Sequence, residues 1–116
     1  MVGICRGFQL LAHVFGQFDL DSDVPKHLGY NHNITDCNGK EFYVAGDHHQ
    51  VVSSSHNMRV IAKSEDGIIE SGYWHQHRAF GVQYHPEWMD PRSIGRRWFV
   101  SRCEDLINNK LLEWIR

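Results

Sequence analysis

The chain has no long apolar run: nothing in its 116 residues approaches the roughly 20 consecutive apolar residues that span a bilayer. It also lacks a charge excess. A formal net charge of −2 gives no general electrostatic reason to expect nucleic acid or an anionic membrane as a partner. Cysteine is scarce and odd in number. Cys5, Cys37 and Cys103 have no framework spacing, which argues against a disulfide scaffold and for a reducing, cytoplasmic setting. Internal repeats, low-complexity stretches and interdomain linkers are missing, and Met1-Val2-Gly3-Ile4 has no signal-peptide character. What remains is one soluble globular domain, 41% hydrophobic and long enough to bury a core.

What is present starts at once, with Gly3-Ile4-Cys5-Arg6-Gly7-Phe8-Gln9. A cysteine bracketed by glycines, with an apolar residue before it and a helical pattern after it, reads as a nucleophile elbow. The nucleophile's backbone is strained in such a turn, so its flanks must approach closely without a Cβ. Far downstream stands Gly81-Val82-Gln83-Tyr84-His85-Pro86-Glu87. A thiol nucleophile needs a base, and the base needs an orienting group. His85 and Glu87, with Pro86 between them, can be presented by one loop toward one side.

These two motifs, in this order, resemble the class I glutamine amidotransferases, whose triad is Cys, His and Glu. Arg6 and Gln9 in the elbow most resemble the γ-glutamyl hydrolase-like branch, which includes γ-glutamyl-γ-aminobutyrate hydrolases. The resemblance implies an α/β, flavodoxin-like fold with an added antiparallel β layer. It also implies Cys5, His85 and Glu87 as catalytic residues, the Arg6 backbone N–H as an oxyanion donor, and Gln9 and His49 beside the substrate. No cofactor and no metal are implied. The expected substrate is glutamine or a γ-glutamyl amide, and a synthase domain or second chain is a possible partner.

The resemblance covers the second half of the family's domain, residues 1–116 running from the elbow to a closing helix. The family carries further βα units ahead of the elbow, with a glycine-rich loop that gives a second oxyanion donor. A fragment of a longer protein is the favoured reading, ahead of a split chain or a remnant.

Between the motifs the patterning predicts a mixed α/β domain. Phe8, Leu11, Ala12 and Phe15 form a helical stripe over 5–15, capped by Gly16. Residues 19–26 read as a polar loop broken by Pro25. Asn38-Gly39 predicts a hairpin between strands at 31–35 and 41–45. Strands follow at 58–63, 68–73 and 79–84, with Asp66-Gly67 as a turn and the last strand central because it is largely apolar. Asp90-Pro91 reads as the start of the closing helix, with Asp90 as N-cap.

Nine histidines invite a metal reading, especially His48-His49 and His75-Gln76-His77, but the cysteines lack zinc-ligand spacing. Loop histidines are the default, with a supporting role for His49 implied by the family's similar segment. Two rivals to an amide hydrolase stay open: a catalytically incomplete interaction module, and a cysteine peptidase with a related triad.

Overall fold

The computed structural model describes residues 1–16, 20–22, 31–46, 50–52 and 57–116. Its frame is one mixed sheet in the order β1-β8-β7-β6-β3-β4, with helices packed against it. The strands are β1 (Val2–Ile4), β2 (Leu20–Ser22), β3 (Asn31–Asp36), β4 (Glu41–Ala45), β5 (Gln50–Val52), β6 (Arg59–Ser64), β7 (Ile69–Trp74) and β8 (Ala79–Val82). Only β1 and β8 are parallel among the described strands, in the register Val2↔Phe80 to Ile4↔Val82. The remaining pairs are antiparallel, so the α/β portion and the antiparallel portion are continuous in one sheet.

The expected hairpin forms between β3 and β4. Gly39 takes φ +87°, a conformation that favours glycine at the tip. Asp36 fixes the turn from below: its Oδ1 accepts the backbone N–H groups of Asn38 and Lys40 at 2.9 and 3.0 Å, and its Oδ2 accepts the Trp98 indole N–H at 2.9 Å. A buried carboxylate is tolerable only with such donors. β7 and β8 are buried along their whole length, as the apolar run at 79–84 predicts for a central strand.

Three local expectations are corrected. The helix predicted over 5–15 is α1 (Arg6–Leu11) followed by a π-helical turn, Ala12–Gly16, so Gly16 belongs to the wider turn rather than capping an α-helix. The wider turn accompanies the placement of Phe15, stacked on His77 at 4.1 Å and packed near Trp74. Residues 20–22, read as polar loop, form β2 against β5, because a ladder partner distant in sequence overrides local polarity. The closing helix is N-capped by Ser93, whose hydroxyl accepts from Arg96 N–H at 3.3 Å. Asp90 caps the preceding turn instead, its Oδ1 accepting from Arg92 N–H at 2.8 Å.

The closing segment is two helices, α2 (Ile94–Ile107) and α3 (Leu111–Ile115), parted where Asn109 turns left-handed at φ 57°. Trp98, Leu106 and Leu111 seat them on the sheet face that carries Ile34, Val44, Phe80 and Val82. Phe8, Leu11 and Ala12 cover a second cluster with Met58, Ile69 and Trp74.

Candidate active site

β1 is only three residues long, and it delivers Cys5 to the carboxyl end of a parallel pair. Crevices at such strand ends are where α/β sheets bind ligands. The Cys5 backbone lies at φ 51°, ψ −104°, a strained conformation for a residue with a Cβ. The tight turn depends on Gly3. A Cβ there would fall 2.5 Å from the Gly7 carbonyl carbon. The two glycines are not equivalent, because a Cβ on Gly7 would meet nothing within 4 Å.

Cys5 is buried, and its sulfur accepts a hydrogen bond from Gln83 Nε2 at 3.7 Å. Burial pushes the thiol up from its ordinary value. The Arg6 backbone N–H and the Gln83 amide, both hydrogen-bonded to the sulfur, pull it down; the nearby Glu87 carboxylate raises it, and the Arg6 charge lowers it.

The chain beyond β8 carries His85 and Glu87. Their side chains meet, His85 Nδ1 to Glu87 Oε2 at 2.9 Å, with His85 largely covered and Glu87 about half exposed. The His85 ring is also stacked on the Trp88 indole, 3.6 Å between centroids at 11°. Its backbone N–H donates to Ala45 O at 3.0 Å, tying the loop to the end of β4. Among the described residues no hydrogen bond joins Cys5 to His85, and the sulfur's side-chain partner is Gln83. Catalytic hydrogen bonds are often loose before substrate binds.

Of the other candidates, Arg6 is exposed at the start of α1, with its backbone N–H on the sulfur. Gln9 is buried one turn further on, its N–H bonded to Cys5 O at 3.1 Å. His48 and His49 lie outside the described residues. His75 and His77 go to different uses: His75 Nδ1 bonds the Tyr73 hydroxyl at 2.9 Å, and His77 stacks on Phe15. Among the described residues no three potential ligands converge on a metal position.

Two neighbours of the candidate residues escaped the sequence reading, Gln83 and Trp88, although both lie within or beside the His-Pro-Glu motif. The available signal for Gln83 was a lone amide in an otherwise apolar central strand.

The family model for glutamine amidotransferase class-I matches residues 1–98. The chain belongs to the class I glutamine amidotransferases. Among its relatives is the glutamine-hydrolyzing GMP synthase subunit of Methanosphaera stadtmanae, 30% identical over 95 residues, covering 75% of this chain and 50% of the relative. The carbamoyl phosphate synthase small chain of Clostridium perfringens is 32% identical over 94 residues, covering 75% of this chain and 26% of that one. A solved glutamine amidotransferase from Thermotoga maritima shares the fold, with TM-score 0.65 and 20% identity over 99% of this chain and 54% of its own. The matched region thus spans half the length of the GMP synthase relative and about a quarter of the carbamoyl phosphate synthase chain.

Proposed function

We propose that this glutamine amidotransferase domain hydrolyses the γ-amide of glutamine or of a γ-glutamyl amide through a thioester on Cys5. The observation that carries the reading is the strained Cys5 beside β8, the strand that runs on into the His85–Glu87 pair. In this mechanism the sulfur attacks the γ-carbonyl carbon. Glu87 holds His85 through Nδ1, which leaves Nε2 to take up the thiol proton. That proton passes to the leaving nitrogen as the C–N bond breaks. Water then attacks the thioester, releasing glutamate and returning the proton to sulfur. In this reading the Arg6 backbone N–H, whose influence on the sulfur favours the thiolate, also meets the oxyanion that forms beside it. Gln9, and His49 from its family resemblance, serve as substrate-side contacts.

Two fates for the nitrogen divide the family. The relatives named as synthase chains support ammonia passing to a synthase partner, whether a domain or a second chain. Arg6 and Gln9 in the elbow favour release of a larger amine by a hydrolase of the γ-glutamyl-γ-aminobutyrate type. Either reaction suits a reducing cytoplasm, where the thiol survives. Labelling with a diazo-ketone glutamine analogue, followed by mass spectrometry, tests the common step. Modification of Cys5 well ahead of Cys37 and Cys103 supports the reading. Equal, slow labelling of all three would favour the rival reading of a catalytically incomplete module. Comparing glutamine with γ-glutamyl-γ-aminobutyrate as substrates then separates the two fates.

A further inference from the structure

Gln83 directly follows β8, and strand alternation puts it on the same side as Gly81. That side faces α1: a Cβ on Gly81 would fall 2.4 Å from a Phe8 ring carbon. Phe80, Val82 and Tyr84 belong to the opposite cluster under α2. Gln83 is completely buried, and its backbone N–H donates to Glu70 O at 2.7 Å, which fixes where the side chain starts. From there Nε2 reaches the Cys5 sulfur at 3.7 Å. Oε1 is also buried and has no hydrogen-bond partner among the described residues. A buried amide with its oxygen unpaired costs stability, and an apolar side chain would avoid that cost. The remaining use of the amide is its donor.

We propose that Gln83 is a positioning residue for Cys5, its side-chain N–H holding the sulfur in place and favouring the attacking thiolate over the thiol. A neutral thiol is a weak acceptor, whereas an ionised one takes a strong, charge-assisted hydrogen bond. The bond therefore tightens as the proton leaves. Other groups around the sulfur divide. Burial and the Glu87 carboxylate oppose ionisation, while the Arg6 N–H and charge assist it. The role in catalysis rests on the thioester mechanism proposed above; the effect on the sulfur does not.

The test follows the thiol and not turnover. Gln83→Met keeps length and volume but removes the donor. The rate of Cys5 alkylation by iodoacetamide is measured against pH in the full chain, with the adduct located by mass spectrometry. The inflection should move up by about one unit, so that alkylation near neutral pH slows about tenfold. An unmoved inflection overturns the proposal. A downward move also overturns it, because that is the result if the amide is turned over and Oε1 accepts from the thiol.

A second readout needs no Gln83 variant. The Gln83 side-chain amide resonances should shift as Cys5 ionises and stay fixed in Cys5→Ala; absence of that shift overturns the proposal even if Gln83→Met fails to fold. A chain that shows the Gln83 effect but hydrolyses no γ-amide overturns the functional reading and leaves this one standing.

Discussion

The backbone N–H of Cys5 donates to the carbonyl oxygen of Val82 at 2.8 Å. That bond extends the parallel ladder of β1 and β8 by one step beyond Ile4↔Val82. It fixes the position of Cys5 against the strand that leads to His85. The candidate residues therefore share a rigid support, although they lie at opposite ends of the sequence.

Replacing Cys5 with alanine should reduce γ-amide hydrolysis by at least about 10⁴-fold in the complete domain, as for other covalent nucleophiles. The fold should persist by circular dichroism, because the change removes one small buried side chain. Activity retained by Cys5→Ala would rule out the thioester.

The two elbow glycines should respond differently to alanine. Gly3→Ala places a Cβ against Gly7 backbone atoms, which cannot rotate away. An overpacking cost of about 1–3 kcal/mol is expected. Gly7→Ala meets nothing, and alanine is the better helix former by about 0.8–1 kcal/mol. Urea unfolding of both variants checks this, with Gly7→Ala expected at or above the parent.

Trp88→Ala should lower kcat about tenfold with KM little changed, because the indole holds the His85 ring and is itself 60% exposed. Trp88→Phe should restore most of the rate. Stability should move by less than about 0.5 kcal/mol, as for other surface changes. A loss confined to KM would place the indole on the substrate instead of on the histidine.

Alkaline pH should weaken the fold. The Cys103 thiol is raised from 9.0 to about 11, chiefly by burial, so the unfolded chain releases this proton first as pH rises. Its contribution to stability is complete below pH 9 and is lost as pH climbs towards about 11. Cys5, Cys37, Tyr73 and Tyr84 are raised as well and act in the same direction. Urea midpoints should fall between about pH 8.5 and about pH 10.5, by less in Cys103→Ala than in the parent.

Much of this was legible in the sequence because its causes are local. Asn38-Gly39 specifies its hairpin through turn geometry alone, and the apolar run at 79–84 announces burial on both faces. The elbow is legible because only glycine permits the approach at Gly3. Leu20–Ser22 was not legible, since its strand exists through pairing with Gln50–Val52. At the closing helix, Asp90-Pro91 carries the start signal, yet the cap is Ser93, whose hydroxyl accepts from the Arg96 N–H three residues on. Gln83 was visible as a lone amide in an apolar strand, but its partner was not. Knowing that it faces Cys5 requires the register of β1 against β8, which no pattern within either strand contains.

The His85 N–H to Ala45 O bond has a bearing on self-association. β4 ends the strand order, and edge strands invite pairing with other chains. Here α2 lies over β4: a Cβ on Gly95 would fall 2.8 Å from Tyr43 O, and the histidine loop occupies the Ala45 carbonyl. The loop carrying the candidate base thus also helps shield that edge from a passing strand.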